Sequence, residues 1–264
     1  MGGAETSWRS ARPMPGWRLV FLDSYAHSVL GVDAHEEAFA RASEVLLKRN
    51  PNDWRTAGNW LQGLYALARR FVPYNGQLGD SQLAWLRAEL DEAQRMRERV
   101  VVFTHVPLCP GSASSSCLVW DYPQALEVLA AHASSRNAGE CGVVAVYAGH
   151  DHKGGYAVDG AGIHHVTLAS PLEAASSVAH AVGVFSNTGM TLVGKGAVEP
   201  RRLRWCVSTE DALKWREAFL VEECKSLVEL CKGARTAEQC RAILDAHEGA
   251  WDYLGPDWPK RYDD

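Results

Sequence analysis

The sequence predicts an α/β fold, and three observations carry that prediction. Residues 100–104 (VVVFT) and 142–148 (GVVAVYA) are short uncharged runs, as strands covered by layers above and below require. Helical periodicity precedes the first run, where Leu83, Leu86, Leu90 and Ala93 recur at three- and four-residue steps while Arg87, Glu89, Glu92 and Arg95 face away. Further along, residues 181–186 and 190–195 are strand-like runs separated by Asn187-Thr188-Gly189, a hairpin signal. Strands that alternate first with helices and then with hairpins imply a mixed sheet layered with helices.

The elements follow in order. Residues 1–16 form a polar N-terminal segment, and residues 17–22 (WRLVFL) read as a buried strand closed by Asp23 and Ser24. Asp33 with Glu36 has the spacing of a capping box, so a helix is expected over 34–49, stopped by Asn50-Pro51. Residues 52–79 mix aromatic residues with glycines and read as a packed irregular insertion with one or two helical turns. The second helix starts at Asp80 and ends near Glu98. A Ser-, Gly- and Pro-rich loop over 106–122 leads to Pro123 at a first helical position and a short helix to His132. Residues 163–169 form another strand candidate. From 201 to 264 the pattern changes to a helical extension, with Leu213, Leu220, Cys224, Leu227 and Cys231 on one stripe and Thr236 with Gln239 capping a further helix.

Composition narrows the function classes. The chain has 264 residues, 47% of them hydrophobic, so it can bury a core and disorder is excluded as its main state. Lys plus Arg number 27 against 32 Asp plus Glu, with the two signs interspersed; no basic face is available for nucleic acid. No apolar run approaches the roughly 18–20 residues a bilayer demands, and residues 1–15 lack the apolar stretch of a secretory leader. No membrane contact and a cytoplasmic location are therefore expected. Seven cysteines, at 109, 117, 141, 206, 224, 231 and 240, contain no CxxC pair, which argues for reduced thiols rather than a disulfide framework or a zinc ribbon.

Chemistry is expected at strand ends. In layered α/β proteins, catalytic ligands sit where a rigid sheet fixes them and solvent still reaches them. Three of the ten histidines meet that description: His105 ends the strand at 100–104, and His150 and His152 follow the strand at 142–148 in the glycine-bracketed turn Gly149-His150-Asp151-His152-Lys153-Gly154-Gly155. Neutral imidazoles there suit a divalent transition metal with open positions. His164 and His165 are neighbours within a strand and point to opposite faces, so at most one could reach the same site, and both read as structural.

The set Thr104-His105-Val106-Pro107-Leu108, Cys117-Leu118-Val119-Trp120, Ala148-Gly149-His150-Asp151-His152-Lys153-Gly154-Gly155-Tyr156 and Gly162-Ile163-His164-His165-Val166-Thr167-Leu168 resembles the calcineurin-like metallophosphoesterases. It is most similar to the manganese-dependent ADP-ribose/CDP-alcohol diphosphatases. The resemblance covers residues 17 to about 196, including Phe71-Val72-Pro73-Tyr74-Asn75-Gly76, and implies a partial four-layer α/β/β/α sandwich over 17–200 with a C-terminal helical extension over 201–264. It implies His105 and His150 as ligands of one metal and His152 as ligand of another. Manganese is the implied ion, with a single zinc on the three imidazoles as the alternative, and a nucleoside diphosphate-linked small molecule such as ADP-ribose is the implied substrate.

The same resemblance shows what this chain does not display. The family places Asp-x-His, Gly-Asp-x-x-Asp and Gly-Asn-His-Asp/Glu elements before the region matched here, and the phosphoesterase domain is expected to lack that N-terminal part. Asp33-Ala34-His35, Gly79-Asp80 and Gly58-Asn59 have some of the letters, but none follows a predicted strand. Two divalent cations about 3.5–4 Å apart repel strongly without a bridging carboxylate. The reading is therefore a phosphoesterase or pyrophosphatase of this type that is weakly active or inactive as given, with no residue assigned as catalytic. The alternative is a non-catalytic short form or scaffold whose C-terminal helices bind a protein partner. Absent strands would also leave a sheet edge open unless a partner or the extension covers it.

Overall fold

The computed structural model describes residues 7–56, 58–134, 141–173, 178–186 and 189–205. Two sheets stack on each other, with helices on the far side of the larger one. The larger sheet comprises β1 (Arg9–Met14), β2 (Trp17–Phe21), β3 (Arg99–Phe103), β4 (Gly142–Ala148), β5 (Gly155–Val158) and β6 (His164–Thr167), in the order β1-β2-β3-β4-β6-β5. Strands β2, β3, β4 and β6 are parallel, and the two edge strands run antiparallel to their neighbours. The smaller sheet is an antiparallel meander of β7 (Ala179–Phe185), β8 (Gly189–Gly196) and β9 (Arg201–Arg204).

Among the described residues three helices accompany the sheets: α1 (Glu37–Arg49), α2 (Gly79–Arg95) and α3 (Tyr122–Ala131), with a short 3-10 turn at Ala66–Arg70. Leu83, Leu86, Leu90 and Ala93 of α2 and Val128 and Leu129 of α3 bury against Val20, Val100, Val102, Val143 and Val146, which fill one face of the large sheet. The other face contributes Trp17, Val101, Val144, Ala145, Tyr147 and Val166 to a second core, closed by Met190, Leu192, Leu203 and Trp205. Both faces of β3 and β4 are thus covered, as their uncharged runs require. Helix α1 belongs to a smaller cluster in which Ala42 and Leu46 meet Val29, Phe71 and Trp120.

Some elements depart from the sequence expectation for identifiable reasons. Helix α1 starts at Glu37 rather than 34, because the Asp33 carboxylate accepts the His35 amide (2.9 Å) and its carbonyl accepts the Glu36 amide (3.0 Å), closing a turn ahead of the helix instead of a capping box. The polar start contains β1, an exposed edge strand held by its ladder to β2. Residues 201–204 continue the small sheet as β9, and Trp205 is buried in the inter-sheet core, so the sandwich reaches past the boundary drawn at 201. The helices expected farther along lie outside the described residues.

One buried ion cluster fastens β2 to the helical layer. Arg18 is fully buried; its Nε donates to Glu98 Oε2 (2.6 Å), and its Nη1 donates to Glu89 Oε1 (2.7 Å) and to the Glu89 carbonyl (2.9 Å). Arg12 Nε adds a second donor to Glu98 at 2.8 Å. A guanidinium is tolerated in such a place because carboxylates offset its charge, here those of Glu89 and Glu98.

Candidate metal-binding half-site

Strands β3 and β4 lie side by side in parallel register, so their C-terminal ends open at the same edge of the sheet. His105 follows β3 after Thr104. The His105 carbonyl accepts the Gly149 amide at 2.9 Å, which stitches the two strand ends together. Beyond β4 the chain reverses abruptly: the Asp151 amide bonds the Gly149 carbonyl at 2.7 Å across a three-residue turn with His150 at its centre and φ of 68°. Positive φ is strained for a residue with a Cβ, and such strain concentrates at functional positions. Gly155 closes the segment, where a Cβ would stand 2.2 Å from the Ser112 carbonyl, so only glycine lets the 106–121 loop approach this closely.

The two rings brought together are those of His105 and His150, whose centroids are 5.2 Å apart in an edge-to-face arrangement. An ion about 2.1 Å from one nitrogen of each ring would leave centroids roughly 5–6 Å apart, so this spacing suits a shared ligand. Tyr25 lies 5.8 Å from His105 and Tyr74 lies 5.8 Å from His150, ring centre to ring centre, forming aromatic walls. Tyr25 donates its hydroxyl to the Tyr74 carbonyl at 3.2 Å.

The hydrogen-bond network assigns the His150 tautomer. Asn75 is fully buried, and its amide nitrogen donates to the carbonyls of Arg70 and Ser116, both at 2.8 Å. With both amide protons committed, its Oδ1 accepts from His150 Nε2 at 2.8 Å. His150 Nδ1 therefore carries the lone pair, facing the Tyr25 hydroxyl at 3.5 Å. Burial, then the neighbouring His105, pushes the His150 pKa down to about 4, while burial and the nearby His152 lower that of His105. Both rings are thus neutral near pH 7, the form that ligates a metal.

His152 is exposed on the same turn, and its Nδ1 lies 3.0 Å from Glu173 Oε1. Among the described residues no group of three or more His, Cys, Asp and Glu side chains is placed to hold a metal ion. Asp151 is the nearest carboxylate in sequence, but it is a structural latch: Oδ2 accepts the Ser114 amide (2.7 Å) and Oδ1 the Lys153 amide (3.2 Å). Burial would raise its pKa, and these hydrogen bonds outweigh burial and hold it below the ordinary carboxylate value. The residues present therefore suit one ion on two imidazoles and do not fit a pair of divalent ions, which would need anionic bridging ligands.

The other sequence candidates have structural roles. Asp33-Ala34-His35 forms the turn before α1. Gly79 opens α2, where its amide and that of Leu78 donate to the Asp121 carboxylate, and Asn59 Oδ1 accepts the Leu61 amide. His164 bonds Tyr156 and the Arg204 carbonyl, and His165 bonds Asp159, as their place inside a strand predicts. Sequence reasoning did not single out Tyr25, and it took in Tyr74 and Asn75 only within the family-like segment 71–76, with no role assigned to either. The local signal for Asn75 was an asparagine set in an apolar aromatic stretch, FVPYNG.

No family model matches the chain. A manganese-dependent ADP-ribose/CDP-alcohol diphosphatase from Oryza sativa subsp. japonica is 39% identical over 161 residues, covering 61% of this chain and 47% of the relative. Proteins of the same name from Bos taurus and Mus musculus are 37% and 36% identical over 195 and 203 residues, covering 73% and 76% of this chain and 54% and 55% of theirs. The crystal structure of a dimetal phosphatase from Danio rerio matches with a TM-score of 0.67 at 32% identity, covering 75% of this chain and 60% of that one. The chain spans about half the length of the curated relatives it matches. The paired strand ends, the histidine turn and these likenesses together make a family-level match to the calcineurin-like, manganese-dependent ADP-ribose/CDP-alcohol diphosphatases.

Proposed function

We propose that this chain carries the histidine-bearing half of a divalent-metal phosphoesterase site directed at nucleoside diphosphate-linked small molecules of the ADP-ribose and CDP-alcohol type. The 264-residue polypeptide hydrolyses them weakly or not at all. The observation that supports this most strongly is the facing pair His105 and His150 at the ends of β3 and β4, without a third ligand or a bridging carboxylate among the described residues. A bound divalent ion, manganese by analogy with the named relatives, would polarise a phosphoryl oxygen and activate water. The protein's part is to hold two neutral imidazoles in place through Asn75 and the strained turn at His150.

The 106–121 loop borders the site. Asp151 grips it through Ser114, and Asn75 grips it through Ser116. A nucleoside would lie against this loop. The absence of a CxxC pair among the seven cysteines of the sequence supports a cytoplasmic setting, and among the described residues no helix is long and apolar enough to cross a membrane. The test is release of AMP from ADP-ribose with manganese present, comparing the parent with His150→Ala. Both proteins should give rates at or barely above the protein-free background; clear turnover, well above that background, that His150→Ala abolishes would overturn the proposal.

A further inference from the structure

Strand β6 carries two polar side chains into the interior on one face of the sheet. His165 is 2% exposed and Thr167 4%. One oxygen of the Asp159 carboxylate accepts from His165 Nε2 at 3.0 Å, while the other accepts the amides of Ala161 and Ile163, both at 2.9 Å. Nε2 therefore carries the ring proton and Nδ1 the lone pair. That Nδ1 and the Thr167 hydroxyl are both shut off from solvent, and neither has a hydrogen-bond partner among the described residues. An unpaired polar atom so deeply buried is costly, and protein interiors pair such atoms with protein groups or with ordered water.

The two atoms lie under one roof. Residues two apart on a strand point to the same side, about 6.6 Å from each other along the chain. One water with a hydrogen bond of about 2.8 Å to each side covers roughly that span. The cross-strand neighbours are Gly155 and Ala157 on β5 and Val146 and Ala148 on β4. A Cβ at Gly155 would stand 2.2 Å from the Ser112 carbonyl oxygen, and one at Gly111 would stand 3.5 Å from the Ala157 Cβ. The 106–121 loop therefore crosses directly over this face. Three of the four strand neighbours are glycine or alanine, which leaves space beside the polar atoms.

We infer that this place between β6 and the 106–121 loop binds one ordered water, which donates to His165 Nδ1, accepts from the Thr167 hydroxyl and gives its second proton to the Ser112 carbonyl. Three hydrogen bonds are the usual complement of a buried water. The water fastens the loop from below, in addition to the bonds from the Ser114 amide to Asp151 and from Asn75 to the Ser116 carbonyl. It does so independently of any ion on the histidine pair.

Thr167→Val in the full chain separates a bound water from a dry interior by the sign of its effect. Valine keeps the shape of threonine and removes only the hydroxyl. A hydroxyl that is merely unpaired carries a cost, so its removal would raise the urea midpoint. With the water in place the midpoint should fall, with a loss of about three- to tenfold in the folding equilibrium constant. Magnetic relaxation dispersion of water should count one fewer long-lived water in Thr167→Val than in the parent, and the same number in Thr167→Ser, which keeps the hydroxyl. Amide exchange over residues 111–114 should quicken in the valine variant alone. A crystal structure of the parent, which needs no variant to fold, should show a water within about 2.6–3.2 Å of both His165 Nδ1 and Thr167 Oγ1. A valine variant as stable as the parent or more so, an unchanged water count, or a crystal in which either atom bonds protein directly would each overturn the inference.

Discussion

Replacing Asn75 by alanine should destabilise the protein by about 2–4 kcal/mol, because three hydrogen bonds within one buried side chain are lost together. The Arg70 carbonyl keeps a second partner, the Val72 amide at 2.9 Å. His150 Nε2 and the Ser116 carbonyl have no replacement in the hydrogen bonds that define the site. Each group left unsatisfied in a buried place costs about 1–3 kcal/mol, with Ser116 at the low end because water partly reaches it. Asn75→Asp keeps the acceptor for His150 but turns a carboxylate toward two carbonyl oxygens, and should cost at least as much. Asn59→Ala is the control: that exposed side chain accepts only the Leu61 amide, and its loss should stay within about 0.5 kcal/mol. Urea unfolding reads these values as shifts in midpoint at unchanged slope. An Asn75→Ala protein within about 0.5 kcal/mol of the parent would refute the assignment of Asn75 as the hub joining the 70s segment, the 106–121 loop and the histidine turn.

Two further outcomes are expected. Arg18→Met should cost about 3 kcal/mol or more, since Glu98 is buried and keeps only Arg12, while the paired change Arg18→Met/Glu98→Leu should recover most of that loss; a single variant that costs under about 1 kcal/mol in urea unfolding contradicts the reading. The His150 imidazole is held neutral down to about pH 4, whereas the unfolded chain binds a proton near the ordinary value of 6.5. Stability therefore falls as the pH drops from about 6.5 toward 4. The slope measured by unfolding across that window should be smaller in His150→Asn, and an unchanged slope would show that His150 does not titrate as its burial implies.

How far the sequence could be read differs element by element. Helix α2 and strands β3 and β4 follow from their periodicity, because each buries a face or both faces in a core and apolar spacing reports burial directly. Strands β1, β5 and β9 escape that logic. RSARPM and RRLR are polar edge segments whose strand geometry comes from backbone pairing with a neighbour, a long-range cause that local composition does not carry. At the site, the histidines were legible because strand-end position and glycine punctuation mark them. Asn75 was not, since its importance comes from a partner 75 residues away. The turn ahead of α1 shows the reverse case: Asp33 and Glu36 have capping-box spacing, yet the Asp33 carboxylate meets His35 first. Family likeness added the metal chemistry, which the spacing of three histidines alone leaves open.

The central claim is that the described chain offers two converging neutral imidazoles and no charge to hold a second cation. Titration of the purified full-length chain with manganese and with zinc, followed by metal analysis and electron paramagnetic resonance, tests it most directly. The result anticipated is at most one weakly held ion per chain, lost in both His105→Ala and His150→Ala. Two ions per chain with a spin-coupled manganese signal, or a bound ion indifferent to His150→Ala, would contradict it.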